Sequence, residues 1–213
     1  MAHSYSAIKL YEQCPLKYKF SRIDELQEPS GEAAARGSSI HLEIEEILKG
    51  GLALITHKEL IYLLPQLEQW RKANAFSEMQ FAVDLFWNAV DYKSDKAWFR
   101  GVIDLYLEEG NTATVLDFKT GKERDYSDQV IVYAAVVLAT KPHINRVNLA
   151  IEFIDSQKNV QYARITREEL DKHKDSLSHR INAIKTDKIF APNPSGLCKF
   201  CHFRKDNGGP CKW

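Results

Sequence analysis

Asp104, Asp117 and Lys119 stand inside two otherwise apolar runs, GVIDLYLEEGNTATVLDFKTG over residues 101–121. Alternating hydrophobic runs joined by Gly110-Asn111 predict a two-residue β-hairpin. In that register Glu109 faces Thr112, and Asp104 falls directly opposite Asp117. Cross-strand neighbours have Cβ atoms about 5 Å apart, and like charges placed there repel. Strand alternation also sets Lys119 on the face of Asp117. A divalent cation between the carboxylates would remove the repulsion, and a lysine beside it could orient or help deprotonate a coordinated water. The same residues also describe a surface hairpin whose wet face carries three solvated ions. The hairpin alone does not choose between the two.

Other polar residues are placed to join these three. His41 sits beside an apolar stripe of Ile40, Ile44, Ile47 and Leu48, so its helix can turn it towards a sheet edge. Gln129 and Tyr133 are spaced i, i+4 and share one helix face. Glu78 immediately precedes the first expected strand. Each alone has an ordinary structural explanation: a core histidine, a buried tyrosine beside a surface glutamine, a charged strand end. Four cysteines, Cys14, Cys198, Cys201 and Cys211, complete the set. In a chain without a secretion pattern they are expected to be reduced or metal-bound rather than paired in disulfides.

The elements that must position these groups can be read from periodicity. A short helix is expected over residues 6–13, capped by Ser4 or Ser6 and ended at Cys14-Pro15. The apolar stripe predicts a helix from about Ser38 to Lys49, stopped by Gly50-Gly51. Another helix is expected over 57–73, with Pro65 as an interior irregularity, and a strand over 79–90 leads into the hairpin. The alanine-rich apolar stretch 127–139 reads as a buried helix. Val147, Leu149, Ile151 and Phe153 alternate, and SQKN turns the chain into a strand over 160–165. Thr166-x-x-Glu169 is a capping-box pattern opening a helix to about Thr186. Helices, three strands, a helix, two strands and a helix make an α/β protein with a mixed central β-sheet flanked by helices.

With 213 residues and 44% hydrophobic content, the chain can bury a substantial core as one domain, residues 1–213. Lys plus Arg equals Asp plus Glu at 29 each, so no global positive field points to nucleic acid. Lys17, Lys19 and Arg22, with Lys199, Arg204, Lys205 and Lys212, would form a phosphate-suited patch if the chain brings those segments together. The longest apolar run, residues 130–139, is about half a membrane span. The N-terminus carries no signal pattern. A soluble, cytoplasmic protein without a membrane partner is the expectation.

Taken in order, Gly37-x-x-x-His41, Gly101-Val-Ile-Asp104, Asp117-Phe-Lys119 and Gln129-x-x-x-Tyr133 resemble the RecB-like branch of the PD-(D/E)xK nuclease superfamily. That branch includes the CRISPR-adaptation exonucleases and the nuclease domains of bacterial helicase-nucleases. The N-terminal SYSAIKLYEQCPLKYKF and Cys198-x-x-Cys201 fit the same pattern, so the resemblance spans nearly the whole chain. It implies a restriction-endonuclease-like core hydrolysing DNA phosphodiesters, as an exonuclease on single strands or DNA ends. Asp104 and Asp117 would bind Mg²⁺ or Mn²⁺, with His41 and the Phe118 carbonyl as further ligands. Lys119 would position the attacking water and stabilise charge on the phosphoryl group. Gln129 and Tyr133 would support the site or touch the DNA backbone, and Glu78 matches a commonly acidic position.

The resemblance further implies a 4Fe-4S cluster on Cys14, Cys198, Cys201 and Cys211, clipping residues 1–30 and 190–213 into one metal-binding subregion. Zinc would satisfy the same four thiolates. His202 could replace one cysteine at a zinc ion. Nine residues separate Cys201 from Cys211, more than the few usual in this family, and Gly-Gly-Pro at the end of that insert could turn the chain back. Helicase, recombinase or CRISPR-integrase partners are family-level expectations. A non-cutting DNA-binding or assembly subunit would use the same fold, but paired carboxylates that repel phosphate argue against it. An electron carrier or redox sensor would leave the sheet without a purpose.

Overall fold

The computed structural model of the chain describes residues 2–29, 31–51 and 55–213. Two compact units emerge: one is residues Glu32–Asp175 with Ala2, the other His3–Gly31 with Ser176–Trp213.

The first unit is built on five strands, β1 (Phe76–Val83), β2 (Phe99–Glu109), β3 (Thr112–Lys119), β4 (Arg146–Phe153) and β5 (Lys158–Thr166). They lie side by side in that order. Every neighbouring pair is antiparallel except β3 and β4, which run parallel. A parallel pair needs a crossover, and the helix Ser127–Thr140 supplies it. The sheet is therefore mixed, as the element order implied.

Helix α1 (Tyr5–Gln13) and the short α2 (Pro15–Tyr18) precede α3, which runs over Glu32–Leu48. It begins six residues earlier than the stripe alone predicts, because Ala33, Ala34 and Ala35 are strong helix formers. Its buried residues Ile40, Ile44 and Leu48 join Leu60, Leu63 and Leu67, and Leu105, Leu116, Phe118 and Ala150 from the sheet, in one apolar cluster. Pro65 is not an interior irregularity. A 3-10 turn over Lys58–Leu63 ends there and α4 (Leu64–Lys72) begins, which puts the proline in the first turn, where its missing N–H costs nothing.

Helix α5 is the Ser127–Thr140 crossover, buried from Tyr133 to Leu138 without a break. Burial on all sides outweighs the weak helix preference of its valines. Its C-terminal carbonyls are closed by Arg167, which donates to Leu138 O and Lys141 O, both at 2.9 Å, and to Ile144 O. The expected capping box at Thr166 and Glu169 is present, opening into α6 (Leu170–Thr186).

The strand expected over 79–90 lies earlier, over Phe76–Val83. Asp84 stops it: its Oδ1 accepts from the backbone N–H of Phe86 and Asn88, both at 2.9 Å, forming an Asx-type turn. The chain reaches Trp87 with φ +65° and rejoins the sheet at Phe99.

The second unit packs α1, α2, the C-terminal part of α6 and the tail. Ile8, Tyr18, Leu177, Ile181, Ile184 and Phe203 are buried. Tyr11 donates to Asp187 at 2.8 Å, and Arg180 Nε to Glu12 at 2.6 Å. A π-turn over Lys19–Ile23 continues α2, and Phe20 in it meets Phe203 with ring centroids 5.5 Å apart.

Candidate active site

The hairpin register holds from Glu109–Thr112 down to Leu105–Leu116 and stops one pair before the aspartates. Like charges at ladder distance repel, and here the sheet opens. β3 stays with β4, pairing Asp117 with Ile151 and Lys119 with Phe153, while β2 continues along β1. Asp104 sits in the fork and accepts the Phe118 N–H at 2.8 Å. The carboxylate thus replaces the lost ladder bond.

Three elements converge on this fork. Ser77 pairs with Leu105 and Met79 with Ile103, which places Glu78 opposite Asp104. Glu78 therefore lies within β1 and not before the first strand as its sequence position implied. Its φ of +50° is rare for a non-glycine residue and strained, a cost that clusters at functional sites. From α3, His41 Nδ1 comes to 3.5 Å from Asp104 and 3.9 Å from Glu78. His41, Glu78 and Asp104 are the one group of three or more ligand-type side chains, among the described residues, whose donor atoms lie within 4.8 Å of one another.

Asp117 is placed differently from the sequence expectation of a carboxylate shared face to face with Asp104. Its Oδ1 accepts from Gln129 Nε2 at 2.7 Å, and Oδ2 lies 2.5 Å from Lys119 Nζ. That short ion pair satisfies the buried Oδ2 with the Lys119 ammonium. The same Gln129 amide also reaches Tyr133 Oη at 3.4 Å, weakly. Gln129, Tyr133, Lys119, Asp117, Asp104, His41, Phe118 and Glu78 therefore all belong to one neighbourhood.

The electrostatics follow from burial and crowding of like charge. Burial first, and the Asp117 charge second, push the Asp104 carboxyl up to about 8. Asp117 is raised too, by burial, against the pull of Lys119. Burial alone would lower His41, but hydrogen bonding to Glu78 and the charges of Asp104, Asp117 and Glu78 raise it to about 9. Burial would likewise lower Lys119, and Asp117 outweighs it, so the amine stays a cation at neutral pH.

The donor set suits a hard divalent cation. Carboxylate and carbonyl oxygens are the donors that Mg²⁺ and Mn²⁺ favour, and the carboxylates of Asp104 and Glu78, with donor atoms within 4.8 Å of each other, are a like-charged pair that a cation would neutralise. His41 Nε2 lies 3.0 Å from the Phe118 carbonyl oxygen. That contact is a hydrogen bond, and it leaves Nδ1 as the ring nitrogen that faces the carboxylates.

Sequence reasoning missed the groups that hold the fork in place. Arg36, one turn before His41, pairs bidentately with Asp155 at 2.6 and 3.1 Å and also with Glu59 at 2.5 Å. Asp155 accepts the Gly121 N–H at 2.5 Å, which fixes the chain just after Lys119. The Lys119 ammonium also lies 4.9 Å from the Tyr126 ring centroid, a cation–π contact. The one local signal was the tyrosine beside the start of α5; Arg36 and Asp155 are separated by 119 positions and leave no short-range pattern.

In the second unit the four cysteines line one cavity of about 140 Å³, with Leu16, Phe20 and Phe200 among its apolar walls. The insert after Cys201 does turn back. Cys211 N–H donates to Phe203 O at 2.8 Å, and a Cβ at Gly209 would collide with the Phe203 backbone, so glycine is required there. Backbone N–H groups of Asn193 and Ser195 point at the sulfurs of Cys14 and Cys198, at 3.5 and 3.3 Å. The thiols are not gathered as tightly as an ion would hold them: among the described residues, no three cysteine sulfurs lie within 4.8 Å of one another. His202 packs its ring against Phe203 at 5.8 Å and is not among the cavity's lining residues.

A family profile for the PD-(D/E)XK nuclease superfamily matches residues 2–205. The chain belongs to the PD-(D/E)XK nuclease superfamily. No curated protein matches it in sequence. Among solved structures, a protein from Eubacterium rectale described as a candidate exonuclease is 15% identical, with 94% of this chain and 87% of that one covered and a TM-score of 0.54. An alkaline exonuclease from Laribacter hongkongensis is 11% identical over 86% of this chain and 90% of that one, with a TM-score of 0.32. Among the described residues, no helix is long and apolar enough to cross a membrane.

Proposed function

We propose that the protein is a metal-dependent deoxyribonuclease of the RecB-like kind, hydrolysing DNA phosphodiesters as an exonuclease on single strands or DNA ends. The observation that carries this reading is the fork: His41, Glu78 and Asp104 within 4.8 Å of one another, beside the Asp117–Lys119 ion pair at 2.5 Å. His41, Glu78, Asp104, Asp117 and the Phe118 carbonyl would hold Mg²⁺ or Mn²⁺. Such a cation, when bound, would supply a water of lowered pKa and neutralise charge on the phosphoryl group.

The chain's own groups do the rest. Lys119, held cationic by Asp117, is a hydrogen-bond donor and not a base. It orients the attacking water and follows the charge that develops on the non-bridging phosphate oxygens. Gln129 fixes Asp117 Oδ1, leaving Oδ2 towards the lysine. Tyr133, whose hydroxyl is raised above its ordinary range by burial and by Asp117, stays protonated and closes the inner wall.

The four-cysteine cavity we assign to a 4Fe-4S cluster held by Cys14, Cys198, Cys201 and Cys211. The same four thiolates would also hold zinc, and the resemblance to RecB-like nucleases is what favours iron. Backbone N–H groups of Asn193 and Ser195 point at the sulfurs of Cys14 and Cys198 and would donate to the cluster's ligands. The cluster would act as a structural clip for the second unit. Helicase, recombinase or integrase partners remain compatible with this reading, and a cytoplasmic setting suits reduced thiols.

Cleavage of end-labelled single-stranded and duplex DNA, with Mn²⁺, Mg²⁺ or chelator, tests the reading. Asp104→Asn should lose metal-dependent cleavage by at least about two orders of magnitude, the scale of a lost charge-stabilising group. Mononucleotide or short products from one labelled end would mark an exonuclease. Cleavage that survives in Asp104→Asn would refute the metal assignment.

A further inference from the structure

β2 carries another polar group that the reaction chemistry leaves unused. Along this strand Gly101, Ile103 and Leu105 are buried, whereas Arg100 and Val102 are partly exposed and the Asp104 side chain, on the same face, keeps 11% of its exposure. Strand alternation therefore sets Arg100 on the open side with Asp104, about 13 Å away at about 3.3 Å per residue, the span of a few nucleotides of extended strand. Val102 pairs with the exposed Gln80, and Arg100 with the small, buried Ala82. No bulky neighbour on β1 covers the arginine.

The Arg100 guanidinium has no carboxylate partner among the described residues. Its Cζ lies 5.3 Å from the Tyr92 ring centroid, and Nη1 donates to the Tyr92 carbonyl at 3.3 Å. A guanidinium held by stacking and one weak carbonyl bond keeps most of its five donors for an external acceptor. Its planar fork matches two oxygens of a phosphate. The loop that presents Tyr92 is fixed from within. Asp84 holds the turn at Phe86 and Asn88, Trp87 meets Trp98 edge-on at 5.8 Å, and Asp91 accepts the Lys93 N–H at 2.8 Å. Arg100 is thus oriented before any ligand arrives, which lowers the entropy lost on binding.

We propose that Arg100, oriented by Tyr92, binds a backbone phosphate of the DNA strand a few nucleotides from the bond that is cut. The inference rests on the nuclease reading of the Asp104 centre and adds to it the contact that lays the strand along the open side of β1 and β2. A phosphodiester chain is the occupant that both groups favour: the acidic centre requires a cation and a phosphate, and the unpaired cation on the same strand face requires an anion. Contacts of this kind place a strand without reading its sequence.

Steady-state cleavage and fluorescence anisotropy on the full chain test this, using single-stranded DNA carrying one methylphosphonate, a neutral phosphate replacement, moved stepwise along the strand. Arg100→Ala should weaken DNA binding about tenfold or more, the scale of a charge-assisted hydrogen bond, with KM rising more than kcat falls. The slope of log affinity against log salt should shrink by about one. One methylphosphonate position should weaken binding to the natural protein and leave Arg100→Ala unaffected. Tyr92→Phe should retain binding, and Tyr92→Leu should not. Arg100→Gln, with a melting temperature matching the natural chain, guards against misfolding. Unchanged affinity and salt slope in a folded Arg100 variant, or methylphosphonate effects identical in both proteins, would overturn the proposal. Loss of the nuclease reading would show separately, as DNA binding without cleavage in any metal.

Discussion

At the residue scale, the site is a compromise among charges that cannot all be ionised without a cation. Asp104 is pushed up to about 8 and His41 to about 9, so both bind protons in the folded, metal-free protein more tightly than when unfolded. A raised carboxyl loses its contribution as pH climbs from its unfolded value of 3.8 through about 8. A raised histidine contributes fully below 6.5 and loses that as pH climbs through about 9. Both signs agree. The chelated protein should melt lower at pH 9 than at pH 6.5, and Mn²⁺ should stabilise it more at the higher pH, because fewer protons must be displaced. Calorimetry at the two pH values checks this; a chelated protein equally stable at both would show that the fork does not hold those protons. Asp104, Asp117 and Lys119 were legible as residues because charged groups break an apolar strand. Glu78 was legible only as an acid near a strand: its +50° φ, which sets it opposite Asp104, has no sequence signature.

Among the elements, α3 delivers His41 and the fork between β2 and β3 receives it. The helix is seated by Ile40 and Ile44, 0% and 2% exposed, while Leu42, one residue beyond His41, is 60% exposed. Ile44→Ala should cost about 2–5 kcal/mol, the range for emptying a packed aliphatic site, and Leu42→Ala less than about 0.5 kcal/mol. Urea unfolding measures both, and equal losses would place α3 wrongly. The hairpin register was readable because two-residue turns fix pairing and the alternation is clean. The fork was not, since a periodicity argument extends a ladder indefinitely and contains no term for two carboxylates meeting across it. Asp84 ends β1 by folding its own side chain onto the next turn, a local competition with the ladder that the apolar residues around it concealed. The Arg36–Asp155–Gly121 link escaped for a different reason: its partners meet only after the sheet has formed.

On the scale of the whole molecule, the chain combines a nuclease-superfamily core with a cysteine-lined unit. Loss of one thiol should act on the second unit while leaving the fork's cation binding intact. Cys198→Ala, purified anaerobically, should lose iron and acid-labile sulfide and become sensitive to limited proteolysis within residues 176–213, with Mn²⁺ affinity changed less than about threefold, or about 0.6 kcal/mol. Full iron content and protease resistance would remove the clip. The ordered set of motifs made the superfamily legible from sequence. The cavity was legible as four cysteines, and not as a shape, because the return of the chain at Gly209 depends on a close approach to Phe203. Cation binding at the Asp104 fork and promotion of attack on DNA by Lys119 are separable roles. The most direct measurement compares Lys119→Ala with the natural protein for Mn²⁺ binding, DNA binding and cleavage of end-labelled DNA. Lys119→Ala should still bind both ligands and lose cleavage by at least about two orders of magnitude. Cleavage at an unchanged rate, with binding intact, would contradict that role for Lys119.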